Sequence, residues 1–332
     1  MDHAMDRKLE ELFVKHRTRS GLSTKEKTIR LYTSTTSKLL RTIGQEGWDK
    51  TGYAAAHAHE IEAYVNSFQN VATRRSVAQA VYQWLLAIGA DPSIGASPDL
   101  IDHYGKMSHE LGLELRTKAA SQEASAAQIQ NWVSWPDLKR VVRELGKQLE
   151  KEGVLRGSGD LPRQLRPLLL KYMVGCLYTM APPRRLDYRT MEVVSRAEFD
   201  QLPPEKRMAR NFLVRVTPKN KMNFVFGDYK TAGKYGEQTL PVPPPLAKVL
   251  RCWLGYNHVG PYLFGPLPLS AVQMTRLIND TFAATGKKVS ANLLRHSYIT
   301  HFHPPGDLAD RQQDAAAMAH SLGMQACYAV KV

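Results

Sequence analysis

Two segments near the end of the chain, residues 290–302 (SANLLRHSYITHF) and 318–332 (MAHSLGMQACYAVKV), carry the residues around which the rest is organised. Arg295 offers a planar fork of hydrogen-bond donors that suits the oxygens of a phosphate. His320 adds a donor, and the hydroxyl of Tyr328 can attack phosphorus. Taken singly, each is as readily a packing or ion-paired side chain. If the segments fold back on each other, they predict a phosphate-binding site.

The net charge of the chain favours a polyanionic partner. Its 332 residues include 45 Lys and Arg against 31 Asp and Glu, a formal net charge of +14. Nucleic acid is the leading candidate. A membrane surface ranks below it, because the basic residues are spread along the chain rather than gathered on one amphipathic helix. The length fits two globular domains.

The apolar and cysteine patterns indicate neither export nor membrane insertion. The most apolar stretch, residues 165–183, is interrupted by Lys171 and ended by two prolines, so it predicts a buried helix. The N-terminal residues alternate charges where a signal peptide would have an apolar core. Three widely separated cysteines predict neither disulfides nor a zinc site. We therefore expect the protein to act in a reducing intracellular compartment, either the cytoplasm or the nucleus, depending on which of them contains its nucleic-acid partner.

Two histidine clusters contain metal-ligand residue types, at residues 57–60 (HAHE) and 301–303 (HFH). Neither has the i, i+4 spacing of a helical zinc pair or a clear third ligand. We expect no metal and no cofactor.

Residues 1–120 predict a small all-helical domain. Apolar residues recur at helical spacing in a helix capped by Ser23, in segments 59–68 and 72–90, and from about Asp99 to Leu115. Its basic side chains suit DNA phosphates, although a solvated helix face explains each of them about equally well. The DNA-binding candidates are Lys25, Lys27, Arg30, Arg74 and Arg75.

Residues 121–130 are small and polar and predict a linker, with the boundary near Ala127. Residues 131–332 then predict a second, mixed α+β domain. It begins with a helix capped by Ser134 and a buried helix over 165–178. Three short strands follow, with the sequences FLVRV, MNFVF and QTLPVP. Further helices are predicted over about 245–254, 270–283, 290–302, 307–320 and around residue 328. The expected fold class is mainly α with a small antiparallel β-sheet.

Five residues occur in a meaningful order: Arg184, Lys230, Arg295, His320 and Tyr328. This order resembles the catalytic domain of the tyrosine recombinase (phage integrase) family. There the first arginine follows a buried helix and an acidic residue comes three positions later, like Asp187 here. The lysine lies in a hairpin turn before a proline-rich segment, as in residues 229–246, and motifs like LLRHSYIT and AHS supply the second arginine and the histidine. The resemblance covers residues from about 131 onward, and the first domain resembles the family's core-binding domain by position and composition only.

The resemblance implies metal-independent breaking and rejoining of DNA. Tyr328 would attack a phosphodiester to form a 3′-phosphotyrosine and free a 5′-hydroxyl. The arginines and His320 would neutralise the phosphoryl charge, and Lys230 would protonate the leaving oxygen. Two choices stay open: Arg185 rather than Arg184 as the first arginine, with Arg185 otherwise a DNA contact, and Lys234 rather than Lys230 as the lysine.

One position departs from the family pattern. The residue three before the second arginine, usually histidine, is Asn292 here. Asparagine can form a hydrogen bond to a phosphate or to the tyrosine hydroxyl, but it cannot take up a proton. His296 is no obvious substitute, because one helical step turns a side chain by roughly 100°.

The resulting functional hypothesis is a site-specific DNA recombinase or integrase of the mobile-element kind, acting on double-stranded DNA as a homo-oligomer, dimer to tetramer. One alternative is strand relaxation like that of a type IB topoisomerase. The other is an accessory protein that keeps the fold and binds DNA without cutting it. Asn292 favours this last alternative, and the ordered set of site residues argues against it. Because four residues follow Tyr328, the mode of assembly is open.

Overall fold

The computed structural model of the chain describes residues 2–22, 24, 26–156, 161–216, 221–256, 260–302, 314–319 and 328–329. Within them the chain is mostly helical, with a four-stranded sheet in its second half. The backbone divides into two compact units, Met1–Ser121 and Gln122–Val332. No helix in these ranges is long and apolar enough to span a membrane.

The first unit is helical throughout its described elements, as its apolar periodicity predicts. The helices are α1 (Asp2–Arg19), α2 (Glu26–Ile43), α3 (Tyr53–Ala56), α4 (Ala58–Asn66), α5 (Val71–Gly89) and α6 (Pro98–Ala120). Asn70 caps α5 by accepting a hydrogen bond from the backbone N–H of Thr73. α5 buries Trp84 and Leu85 and packs against α1, α2, α4 and α6, so it is the centre of this unit. The predicted cap Ser23 lies outside the described residues.

The segment predicted as a linker is partly helical. α7 (Ala126–Asn131) occupies the second half of residues 121–130 and begins with a capping box. The Ser125 hydroxyl accepts the N–H of Gln128, and the Gln128 side chain accepts the N–H of Ser125 at 2.9 Å. Part of the predicted linker is helical because serine and glutamine three residues apart satisfy the first free N–H groups of a helix.

Helices form most of the second unit. They are α8 (Trp135–Lys151), α9 (Arg166–Thr179), α10 (Arg196–Asp200), α11 (Pro204–Met208), α12 (Ala232–Tyr235), α13 (Pro244–Tyr256), α14 (Ala271–Thr281) and α15 (Ala291–Phe302), with 3-10 turns at Val154–Arg156, Arg163–Leu165, Asp187–Thr190 and Ala283–Thr285. Ser134 caps α8 as predicted. α9 packs against α8, α13 and α14. It approaches α8 at Gly175, where a Cβ atom would lie 2.6 Å from the Val142 side chain.

The sheet contains β1 (Met191–Ser195), β2 (Asn211–Val216), β3 (Lys221–Phe226) and β4 (Gln238–Pro241), in that spatial order. β2–β3 and β3–β4 pair antiparallel, as predicted. β1 pairs with β2 in parallel, so the sheet is mixed and the prediction of a purely antiparallel sheet is wrong. A parallel pair needs a crossover connection, here through α10 and α11, and such a non-local pairing leaves little trace in the sequence of a five-residue strand.

Side chains from the sheet hold the adjacent loops together. Asn211, 1% exposed at the start of β2, donates to the carbonyl oxygens of Asp187 and Asp228 and accepts the Asp228 N–H. This amide ties the loop after α9 to the connection between β3 and β4. Near the C-terminus, residues 314–317 form a helical turn. Most of the predicted helix over 307–320 and of the helix around residue 328 lies outside the described residues.

Candidate phosphate-binding site

The loop after α9 carries the first two arginines of the site. Pro182 and Pro183 do not continue the helix. The Tyr178 hydroxyl, near the end of α9, donates to the carbonyl oxygen of Arg185 at 2.5 Å. The apolar helix therefore fixes the backbone from which Arg184 and Arg185 project.

Arg184 is buried and held on several sides. It is 1% exposed, and its Nε donates to Oδ2 of Asp187 at 2.9 Å. Its guanidinium carbon lies 3.8 Å from the ring centroid of Phe226 and 5.1 Å from that of Tyr229. Arg184 is therefore not a solvated arginine, and its pairing with the acidic residue three positions later fixes its orientation.

Arg295 is buried without a carboxylate partner among the described residues. It projects from α15 and is 0% exposed. Its Nη1 donates to the carbonyl oxygens of Pro183 at 3.0 Å and Met318 at 3.2 Å. Burial lowers its pKa from the ordinary value, because a charged guanidinium is less stable away from water.

Four consecutive backbone carbonyls accept hydrogen bonds from site side chains. The donors to Ala316, Ala317, Met318 and Ala319 are Gln238, Arg184, Arg295 and Thr231, respectively, at 2.7–3.2 Å. These carbonyls end the helical turn at 314–317, where free acceptors and the negative end of the helix dipole favour positive partners. The arginines thereby fix the backbone that leads into His320. Sequence reasoning did not find Gln238 or Thr231, because their partners are backbone atoms distant in sequence.

Some donors of the buried arginines have no well-aligned partner in the described part of the chain. Nη2 of Arg184 and both Nε and Nη2 of Arg295 lack a well-aligned hydrogen-bond acceptor among the described residues, although the Tyr328 hydroxyl lies close enough to the Arg295 guanidinium to interact with it. A buried donor left unsatisfied costs about 1–3 kcal/mol, and more when it is charged. An oxyanion would satisfy these donors and supply the missing negative charge.

Tyr328 lies against the arginines. It is 6% exposed; its hydroxyl accepts a hydrogen bond from Nη2 of Arg185 at 3.2 Å, and its ring centroid lies 4.7 Å from the guanidinium carbon of Arg295. Burial alone would raise the pKa of the hydroxyl, but the charges of Arg295 and Arg185 outweigh burial and lower the pKa below its ordinary value. The arrangement raises the fraction of Tyr328 present as phenolate, the nucleophilic form.

His296 is a residue of the site that sequence reasoning set aside. Its Nδ1 lies 2.7 Å from the backbone oxygen of Tyr328, and the two ring centroids are 4.8 Å apart. The helical angle between Arg295 and His296 would exclude His296 if only one face of α15 met the site. In fact α15 is buried over most of its circumference, so Arg295 and its neighbour both reach the Tyr328 segment.

The two candidate lysines lie in the connection between β3 and β4. Lys230 and Lys234 are both exposed. Lys230 directly precedes Thr231, whose hydroxyl is bound to the carbonyl of Ala319. Nζ of Lys234 lies 5.3 Å from the ring centroid of Tyr235. The backbone of Lys230 is thus held beside the site, and the choice between the two lysines stays open.

Two further predicted site residues are not brought to Tyr328 by the described structure. Asn292 is exposed on α15 and makes no side-chain hydrogen bond within the described ranges. His320 lies outside the described residues. The functional roles of both stay predictions.

The DNA-binding candidates of the first unit differ in environment. Lys27, Arg30 and Arg75 are exposed, and Arg30 is ion-paired with Glu26 at 2.5 Å. Arg74 is half-buried. Lys25 lies outside the described residues. The structure thus leaves exposed positive charge on α2 and α5, without assigning it a partner.

Comparison with known proteins gives a weak structural likeness. No protein-family model and no curated protein matches the chain. Among solved structures it is similar to XerA recombinase, at 13% identity and a TM-score of 0.38, over 98% of this chain and 94% of that chain. A likeness of this size does not identify the family of the chain.

Proposed function

We propose that this chain is a DNA strand-transfer enzyme of the tyrosine recombinase type, with Tyr328 as the nucleophile. The carrying observation is the position of the Tyr328 hydroxyl at Arg185, with its ring on Arg295. Arg295, and Arg184 on the neighbouring carbonyl of the same turn, hold donors without a well-aligned partner among the described residues. These positions support a nucleophile beside an oxyanion-binding group, the arrangement that phosphoryl transfer requires.

The proposed step is an in-line displacement at phosphorus. The Tyr328 oxygen forms a bond to the DNA phosphorus, and the bond from phosphorus to the 5′ oxygen breaks. The leaving oxygen takes a proton, which Lys230 is proposed to supply. Arg184, Arg295 and His320 bind the non-bridging oxygens, where negative charge develops. Reversal onto a 5′-hydroxyl rejoins a strand and releases the tyrosine.

The lowered pKa of Tyr328 supports its assignment as the nucleophile. At an unperturbed pKa of about 10, only about one tyrosine in a thousand is ionised at pH 7. Each unit by which the pKa falls raises that fraction about tenfold. Arg185 and Arg295 therefore replace part of the general-base function that the family pattern would assign to the position of Asn292.

The test is covalent capture of DNA. The protein is incubated with a nicked duplex that cannot be religated, and the adduct is measured on a denaturing gel. Tyr328→Phe should abolish the adduct and leave duplex affinity nearly unchanged, because only a hydroxyl is lost. Tyr298→Phe is the matched control and should retain the adduct: burial and the Asp314 hydrogen bond raise the pKa of Tyr298, which makes it a poor nucleophile.

An adduct that survives Tyr328→Phe would contradict the assignment. Duplex binding without any adduct would favour the second candidate function, a non-cutting DNA-binding protein. The exposure of Asn292 and the near-complete burial of Tyr328 are the observations in its favour. Transfer of the captured strand to a second duplex would favour a recombinase acting as a homo-oligomer, and relaxation of supercoils alone would favour a topoisomerase.

A further inference from the structure

A chain of hydrogen bonds joins α7, the first helix of the second unit, to the backbone of Tyr328. Nε2 of Gln128 lies 3.3 Å from Nε2 of His296. Nδ1 of the same imidazole lies 2.7 Å from the backbone oxygen of Tyr328. His296 is 8% exposed, so its neighbours rather than water determine its hydrogen bonds.

The capping box of α7 determines the direction of these hydrogen bonds. Oε1 of Gln128 accepts the backbone N–H of Ser125 at 2.9 Å, so this oxygen points toward the helix start. The amide nitrogen, which can only donate, then faces His296. Nε2 of the imidazole must accept, and the single proton of the neutral ring lies on Nδ1. That proton is donated to the carbonyl oxygen of Tyr328.

We propose that His296 is a positioning residue for Tyr328, and that Gln128 holds its imidazole in the tautomer that binds the Tyr328 backbone. The inference rests on the proposed function, with Tyr328 as the nucleophile. In the opposite tautomer, the lone pair of Nδ1 would face the lone pairs of the carbonyl oxygen, and the contact would become repulsive. The direction in which the tyrosine points is thereby linked to a helix that directly follows the boundary between the two units.

Two substitutions separate positioning from packing. An asparagine amide can place its nitrogen near the position of Nδ1, whereas a glutamine amide reaches toward the position of Nε2. His296→Asn should therefore keep the contact to Tyr328 and retain a rate of adduct formation within about threefold of the wild-type rate. A threefold change corresponds to about half the net free energy of one neutral hydrogen bond. His296→Gln should lose the contact and slow adduct formation by about 10²-fold, the size expected for a nucleophile displaced by about 1 Å.

The order of the two variants is the decisive result. Glutamine is closer to histidine in volume, so a side chain that only fills space would make His296→Gln the better variant. That order, or equal rates, would overturn the proposal. His301→Asn, an exposed histidine on the same helix, serves as the control and should leave the rate unchanged.

The tautomer is measured in the free protein by nitrogen NMR of ¹⁵N-histidine, with the His296 signals assigned by their loss in His296→Asn. Nδ1 should carry the proton and Nε2 should not. Gln128→Glu keeps the capping box, since glutamate also suits that position, but it presents a carboxylate oxygen to Nε2 and should draw a proton there. A wild-type protein protonated at Nε2, or an Nε2 that stays unprotonated in Gln128→Glu, would contradict the proposal.

A negative result for the proposed function can be distinguished from a negative result for the positioning role of His296. If the wild-type protein forms no covalent adduct, the proposed function is wrong, and the NMR measurement still decides whether Gln128 and His296 hold the Tyr328 backbone. If the adduct forms with equal rates in His296→Asn and His296→Gln, the function stands and the positioning role is wrong.

Discussion

An arginine of the first unit and two arginines of the second lie in opposite environments. In the first unit, Arg30 is largely exposed and paired with Glu26 on the same helix. In the second unit, Arg184 and Arg295 are 1% and 0% exposed and donate to fixed backbone oxygens. An exposed charge is screened by salt and contributes at most about 1 kcal/mol in an ion pair. A buried guanidinium keeps its direction, so the same residue type suits binding in one region and chemistry in the other.

The largest difference is expected in the rate of covalent capture. Arg295→Ala should slow adduct formation by about 10²-fold or more, because a charged donor aimed at the developing charge is lost. Arg30→Ala should leave the rate at saturating DNA unchanged. Arg295→Lys tests the planar geometry of the guanidinium. Lysine keeps the positive charge but not the paired N–H donors, so this variant should recover only part of the wild-type rate of adduct formation.

Circular dichroism of each variant checks that the fold persists. Equal effects of Arg295→Ala and Arg30→Ala on the capture rate would remove the distinction between the two environments.

The salt dependence of DNA affinity tests whether the exposed basic side chains of the first unit contact DNA phosphates. Log affinity should fall linearly with log salt, with a slope near −0.9 for each neutralised phosphate. Lys27→Ala and Arg75→Ala should each reduce the steepness by about one unit if these side chains contact phosphates. Arg196, ion-paired with Asp200 at 2.7 Å, provides a control whose loss should leave the slope unchanged. An affinity independent of salt would contradict DNA binding through charge.

The pH dependence of stability tests whether the charges of the arginines lower the pKa of Tyr328. The folded pKa of Tyr328 is lowered, so its contribution to stability is fully present above the unfolded pKa of about 10 and is lost as pH falls through the folded pKa. Burial instead raises the pKa of Tyr178 and Tyr188. The free energy of unfolding of wild-type protein minus that of Tyr328→Phe should therefore grow as pH rises toward about 10. A difference independent of pH would contradict the lowered pKa.

The smallest effect is expected at Asn292. An exposed side chain outside specific contacts changes free energies by about 0.5 kcal/mol or less, so Asn292→Ala should alter the capture rate by about twofold at most. Asn292→His should be equally tolerated. A loss of tenfold or more would show that DNA-bound protein brings Asn292 to the scissile phosphate, and would restore the hydrogen-bonding role that the family pattern suggests.

Local patterns explain which elements could be predicted. The caps Ser134 and Ser270 precede helices whose apolar residues repeat at helical spacing, and α9 follows from its apolar run. β2 and β3 were found from their β-branched and aromatic residues. β1 was missed, because its pairing depends on a crossover. α7 was missed because its stability derives from a two-residue capping box rather than from an apolar stripe.

For the candidate site, the sequence by itself determined the residue types and their order: arginines after a buried helix and within α15, a lysine in a strand connection, and a late tyrosine. Tertiary structure decided which of them meet. Arg185 rather than Arg184 contacts the tyrosine hydroxyl, His296 rather than Asn292 lies beside Tyr328, and Gln128 contacts the imidazole. The reason is physical: burial, carbonyl partners and tautomers depend on atoms brought together from distant segments, and no local pattern in the sequence records them.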